Sequence, residues 1–263
     1  VQREFSGRVA LITGASQGIG AALAEAFAAA GAAVVIMARR ADRLAEVADR
    51  IVAAGGAARA VVGDVTRDDS ARDAVAAARE EFGRLDVAVN NAADGPPPRL
   101  LAELTPADFE RSIGVDLTGT FLGMRHQIPA MIDSGGGAIV NLASVAALGG
   151  ISHFTAYVAA KSGIIGMSRT AALDYAPQGV RVNVVAPGPI LTEHLRAAGP
   201  TAQQAAAAAV PIGRVGTTDD IAAAVLWLCS DAASYVTGVT LPVDGGQSAG
   251  TRLERPYTPG EAL

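Results

Sequence analysis

Lysine is almost missing from this chain. Of 21 basic residues, Lys161 alone is a lysine and the rest are arginine. Cysteine is as scarce. Cys229, inside IAAAVLWLCS, has no second cysteine to pair with. That excludes an intrachain disulfide, fits a reducing compartment, and leaves a buried small apolar side chain as the expected role. Aromatic residues make up 4% of the chain, and alanine fills most apolar positions, so small side chains must pack closely. No apolar run is long enough to span a membrane, and VQREFSGRVALITG lacks the layout of a signal peptide. The expected location is the cytoplasm. A net charge of −5 and the lack of a basic patch argue against nucleic acid or an anionic lipid surface as a partner. The three histidines, His126, His153 and His194, lie far apart without an acidic cluster, so no metal is expected.

What is present is apolar and periodic. Half of the 263 residues are hydrophobic and 18% are charged, enough for a sizeable core and too apolar for disorder. Seven short apolar runs recur: RVALIT, AAVVIMA, AARAVVGD, LDVAVNNA, GAIVNLAS, VRVNVVAP and VTLPVDGG. Segments of helical spacing separate them, such as GAALAEAFAAAG and ADRLAEVADRIVAAG. Alternating strands and helices predict an α/β fold, a Rossmann-like doubly wound parallel sheet of seven strands in one domain over residues 1–263. Long helices are expected around Leu104 to Met131 and Tyr157 to Tyr175, and an irregular tail over about 247–263.

The first strand runs into TGASQGIG, where Gly14, Gly18 and Gly20 permit a tight turn and close backbone approach. A helix that starts there offers free N–H groups to a pyrophosphate, although the same turn could merely join strand to helix. Tyr157 and Lys161 stand four apart and share one face of a helix. A nearby ammonium favours the phenolate, so such a tyrosine can give or take a proton. Lysine is a compact point charge, whereas arginine is a wide planar fork, which accounts for a lysine at this one position. Ser144 lies thirteen residues before Tyr157 at a strand's end, suited to hold a substrate oxygen or to cap a turn.

TGASQGIG, NNA (90–92), YVAAK and PGPILT (187–192) occur in an order and spacing that resembles the short-chain dehydrogenase/reductase family, from about Gly7 to Gly246. Within it the chain is similar to 3-oxoacyl-carrier-protein reductase-like members. The resemblance implies an NADP-dependent oxidoreductase that interconverts a ketone and a secondary alcohol, with Ser144, Tyr157 and Lys161 as catalytic residues. Ser16, Gln17 and Ile19 would share the glycine turn with the cofactor. Asp64 would bond the adenine, with Val65 beside it, and Asn91 and Ala92 would line the adenosine and ribose. Pro187, Gly188, Ile190 and Thr192 would hold the nicotinamide side, and about 189–211 would form a substrate-covering loop. In NAD-binding members an acid falls at the position of Ala38. Here Arg39 and Arg40 follow an alanine, which favours a 2′-phosphate and so NADP(H) over NAD(H). The family's fourth catalytic residue is an asparagine, replaced here by Asp116 in VDLTGTF. Asp116 is either a relay member that shifts the pH optimum upward or a mark of an impaired site. The intact Ser144, Tyr157 and Lys161 favour the first. The resemblance also implies a homotetramer acting on a small-molecule carbonyl or alcohol. The alternative is a non-catalytic NADP-binding sensor or scaffold.

Overall fold

The structure, a computed structural model, describes residues 4–95 and 97–250. The expected tail therefore lies largely outside the described residues, and those up to Gly250 form turns. The chain opens with β1 (Val9–Thr13), α1 (Gly18–Ala29), β2 (Ala33–Ala38), α2 (Ala41–Ala53), β3 (Ala57–Val62) and α3 (Asp68–Phe82). Then come β4 (Val87–Asn90), α4 (Pro106–Ser112), α5 (Gly119–Asp133), β5 (Gly137–Leu142), α6 (Ala146–Gly149) and α7 (Thr155–Tyr175). β6 (Val180–Pro187), α8 (Glu193–Ala197), α9 (Gly199–Ala208), α10 (Thr218–Cys229) and β7 (Thr240–Val243) complete it.

All seven apolar runs are strands. They pair in parallel in the order β3-β2-β1-β4-β5-β6-β7, with Ile12 opposite both Ile36 and Val89. The inner strands β1, β2, β4, β5 and β6 are buried almost throughout because helices cover both faces; β3 and β7 are edges and more exposed. Residues alternate across the sheet. Ala10, Ile12, Val34 and Ile36 face Leu23 and Phe27 of α1, Leu44 and Val47 of α2, and Val225 and Leu228 of α10. Val9, Leu11, Val35 and Met37 face Val75 of α3, Ile128 and Met131 of α5, and Ala172 of α7. Each inner strand thus buries side chains both ways, stabilising by roughly 25 cal/mol per Å² of apolar surface. Cys229 is buried as expected, and burial pushes its thiol up to about 12, far from a reactive thiolate.

The long helix expected near Leu104 to Met131 is divided. α4 and α5 are continuous through a π-helical stretch, Ile113–Thr118. The Thr120 hydroxyl, one turn on, donates to the Asp116 carbonyl at 2.7 Å. The widened turn presents Asp116 sideways towards α7. Such bulges have no signature in hydrophobic periodicity.

Strand order reverses between β1 and β4, and in an open parallel sheet the carboxyl ends at such a point leave a crevice. The glycine turn after β1, Asn91 after β4, Ser144 after β5 and Gly188 after β6 all fall on that edge.

Candidate active site

The glycine turn is fastened to the end of β4. Asn91 Nδ2 donates to the carbonyls of Thr13 and Gly14, while the Asn91 and Ala92 amides donate to Thr13 Oγ1. Glycine is required here. Gly14 has φ of +65°, and a Cβ on it would stand 2.8 Å from Ala92 Cα. A Cβ on Gly20 would stand 2.4 Å from the Gly14 carbonyl oxygen. α1 starts at Gly18 with no acid in its first turn, and among the described residues no side chain caps its leading amides.

Around this turn lies a cleft of about 480 Å³. Gly14, Ser16, Gln17, Gly18 and Ile19 form its floor, and Arg39, Arg40, Asp64 and Val65 flank one end. Asn91, Ala92 and Thr192 close the middle. A dinucleotide fits this donor set: a glycine cradle that a Cβ would fill, an uncapped helix start for phosphates, and paired arginines beyond. Arg40 donates to Ser16 Oγ at 3.1 Å and to Gln17 Oε1, bending back over the turn. Arg39 makes no hydrogen bond or ion pair among the described residues, and it is exposed. Asp64 is partly buried, which opposes its charge. Hydrogen bonds from Thr66 and the charges of Arg39 and Arg67 outweigh that and hold its carboxyl below the ordinary range.

Pro187 ends β6, and Gly188, Ile190 and Thr192 follow it. The Gly188 amide donates to Val243 O at 3.1 Å, and a Cβ on Gly188 would meet Asp244 at 2.9 Å. Ile190 is buried and bridges to Gly216. Thr192 packs towards Gly18, where a Cβ would lie 3.4 Å from Thr192 Cγ2. The segment 189–211 expected to cover a substrate thus begins over the glycine turn and continues as α8 and α9.

Tyr157, Lys161 and Asp116 meet beyond the cleft. Tyr157 and Lys161 lie one turn apart on α7, with Lys161 Nζ 5.5 Å from the centre of the Tyr157 ring. Lys161 is 2% exposed; its ammonium donates to the Leu142 carbonyl at the end of β5. It also pairs with Asp116 Oδ1 at 3.0 Å, and Asp116 is fully buried. Apart from that ion pair, the Asp116 carboxylate oxygens have no hydrogen-bond partner among the described residues. Burial pushes the Asp116 carboxyl above the ordinary carboxylate range, and the Lys161 charge only partly offsets this. Ser144, two residues past β5, accepts from the Ala146 amide at 3.2 Å, so it serves the turn while its hydroxyl proton stays free to donate.

Two members of this assembly escaped the sequence reading. Thr13 Oγ1 gathers the amides after β4, and the Leu142 carbonyl anchors Lys161. The first required knowing that β1 and β4 are neighbours; the second is a backbone atom without a residue signature.

A family model described as Enoyl-(Acyl carrier protein) reductase matches residues 14–248. A cis-4-hydroxycyclohexanecarboxylate dehydrogenase of Sinomonas cyclohexanicum is 43% identical over 247 residues, 93% of this chain and 98% of that protein. A cyclohexanol dehydrogenase of an Acinetobacter species is 40% identical, over 95% of this chain and 98% of its own. Among solved structures, a putative short-chain alcohol dehydrogenase from Sinorhizobium meliloti superposes with a TM-score of 0.88 at 36% identity. That match covers 95% of this chain and all of that one.

Proposed function

Since the chain belongs to the short-chain dehydrogenase/reductase family, we propose that it interconverts a ketone and a secondary alcohol with NADP(H) in preference to NAD(H). The observation that carries this reading is the buried Lys161 beside Tyr157, with Ser144 at the end of the adjoining strand. The bound nicotinamide supplies or accepts the hydride. Ser144 donates a hydrogen bond to the substrate oxygen and steadies the negative charge that develops there. Tyr157 gives that oxygen a proton in reduction and takes one in oxidation. The Lys161 ammonium, held by Leu142 and Asp116, favours the deprotonated tyrosine through its charge.

Gly14, Gly18, Gly20 and the amides opening α1 would hold the pyrophosphate, and Asp64 the adenine. Arg39, exposed beside Ala38 and without a hydrogen bond or ion pair among the described residues, supports binding of a 2′-phosphate, with Arg40 at the turn. Relatives named for cyclohexanol and 4-hydroxycyclohexanecarboxylate support a cyclic secondary alcohol or its ketone as substrate. The exposed Leu173, Trp227 and Tyr235 support assembly with further copies, a homotetramer, which light scattering would test. Among the described residues no helix is long and apolar enough to cross a membrane.

The test is loss of NADPH absorbance over a panel of cyclic and open-chain ketones, with NADH in parallel and Tyr157→Phe as control. Turnover that vanishes in the variant supports the reductase. The Asp116 pairing with Lys161 is the observation that favours the second reading, a non-catalytic NADP sensor. NADPH binding without turnover on any ketone would favour it.

A further inference from the structure

A line of polar side chains crosses the core between α5 and α7. Asn90 and Asn141 stand opposite each other in β4 and β5, on the face that those two helices cover. Asn90 and Gln127 of α5 exchange two amide bonds, Asn90 Nδ2 to Oε1 at 3.0 Å and Gln127 Nε2 to Oδ1 at 2.9 Å. Asn90 Nδ2 also donates to Asn141 Oδ1 at 2.8 Å. Asn141 Nδ2 donates to Ser168 Oγ of α7 at 2.8 Å and to Met124 Sδ at 3.2 Å. The Ser168 hydroxyl donates in turn to the Ile164 carbonyl. All four polar residues are buried, on a face whose other contacts are apolar, Ile128, Met131, Ile139 and Ala171 among them. Apolar contacts let a helix slide, whereas bonds between buried polar groups tolerate only a narrow range of distance and angle. The packing around the line is equally close. A Cβ on Gly123 of α5 would stand 2.6 Å from Asn90 Oδ1, and one on Gly163 of α7 would stand 2.8 Å from Leu117 Cδ2 in the π-helical stretch.

We propose that Asn141 and Ser168 are positioning residues for Lys161. Ser168 follows Lys161 by two helical turns, on the same face of α7. Asn141 immediately precedes Leu142, whose carbonyl accepts from Lys161 Nζ at 3.0 Å. α7 is thus stitched to β5 at two points, Asn141 to Ser168 and Lys161 to Leu142. The first stitch sets the height and rotation of the helix. The second then falls where one ammonium can meet both Leu142 and Asp116. Through Asn90 and Gln127 the same line reaches α5, which continues the π-helical stretch that carries Asp116. Both partners of the buried ion pair therefore hang from one polar line across β4 and β5. The pair is sensitive to that support, because Coulomb energy in a dry site changes with small displacements. Asn141 and Ser168 act only through Lys161. The kinetic half of the test rests on the proposed reaction, and the spectroscopic half does not.

Because Lys161 is the only lysine in the chain, lysine labelled with carbon-13 at Cε gives a magnetic resonance signal from this site alone. The variants compared are Ser168→Thr and Ser168→Val, equal in shape, of which only threonine keeps a hydroxyl for Asn141. On the protein without cofactor, Ser168→Val should displace or broaden the Lys161 signal, and Ser168→Thr should leave it near its wild-type position. Val225→Ala, a core change under α10 on the opposite face of the sheet, should leave it in place. A signal unmoved in Ser168→Val, moved equally in both Ser168 variants, or moved as far by Val225→Ala would overturn the proposal. In turnover, Ser168→Val should lower kcat by roughly 3- to 10-fold with KM little changed, the effect of one lost hydrogen bond passed on to the reacting geometry. Ser168→Thr should keep most of the rate. Wild-type kcat in Ser168→Val, or an equal loss in Ser168→Thr, would also overturn it. If the wild type turns over no ketone, the reductase reading fails, while the lysine signal still decides whether Ser168 positions Lys161.

Discussion

Replacing Asp116 with asparagine tests the electrostatics of the site most directly. Shape and volume are preserved, and the Thr120 bond goes to the Asp116 backbone carbonyl, so it survives. Only a negative charge is removed. That charge lies 3.0 Å from Lys161 Nζ, which lies 5.5 Å from the Tyr157 ring centre; the carboxylate is therefore no farther than about 8.5 Å from the ring. At an effective dielectric constant of about 20, unit charges at that separation interact by about 2 kcal/mol, or roughly 1.4 pH units. Above the pH at which Asp116 ionises, its charge opposes formation of the tyrosinate. Removing it should move the limb of the kcat/KM–pH profile for alcohol oxidation to lower pH by about one unit or more. The assay is NADP⁺ reduction with a cyclic alcohol between neutral and alkaline pH, wild type against Asp116→Asn. A limb that stays in place, or moves to higher pH, would refute the reasoning.

Other outcomes follow from the same geometry. Ala38→Asp with Arg39→Ala should reverse cofactor preference; loss of charge-assisted bonds worth about 1.5–3 kcal/mol corresponds to roughly 10- to 100-fold in the ratio of kcat/KM for NADPH and NADH. Lys161→Arg should cost at least about 100-fold in kcat, because a planar fork cannot meet both Leu142 and Asp116 in a pocket where the ammonium is 2% exposed. Asp220 caps α10 with Thr217 and pairs with Arg214, and the Arg214 contact holds its carboxyl well below the ordinary range. Its contribution is present above the ordinary carboxylate value and is lost as pH falls through the depressed one. Asp220→Ala should therefore lose about 1 kcal/mol at neutral pH and much less in strong acid, as thermal melts at the two pH values would show.

The seven strands and their parallel pairing were legible from periodicity alone, since a strand buried on both faces must be apolar along its whole length. The glycine turn was legible because only glycine tolerates its backbone angles and its contacts with Ala92 and Gly14. Tyr157 and Lys161 could be paired because four residues span one helical turn, a relation local in sequence. Asp116 could be flagged as a departure from the family's pattern, but its geometry could not. Its 3.0 Å contact with Lys161 depends on a π-helical turn in one helix meeting a regular turn in another. Thr13 beneath Asn91 and Leu142 beneath Lys161 are likewise contacts between segments far apart in the chain. Sequence by itself determined the elements and their chemistry, because propensity, sterics and periodicity act over a few residues. Only the tertiary structure decided which charges share a dry space, because burial and Coulomb energy depend on distances that chain order does not set.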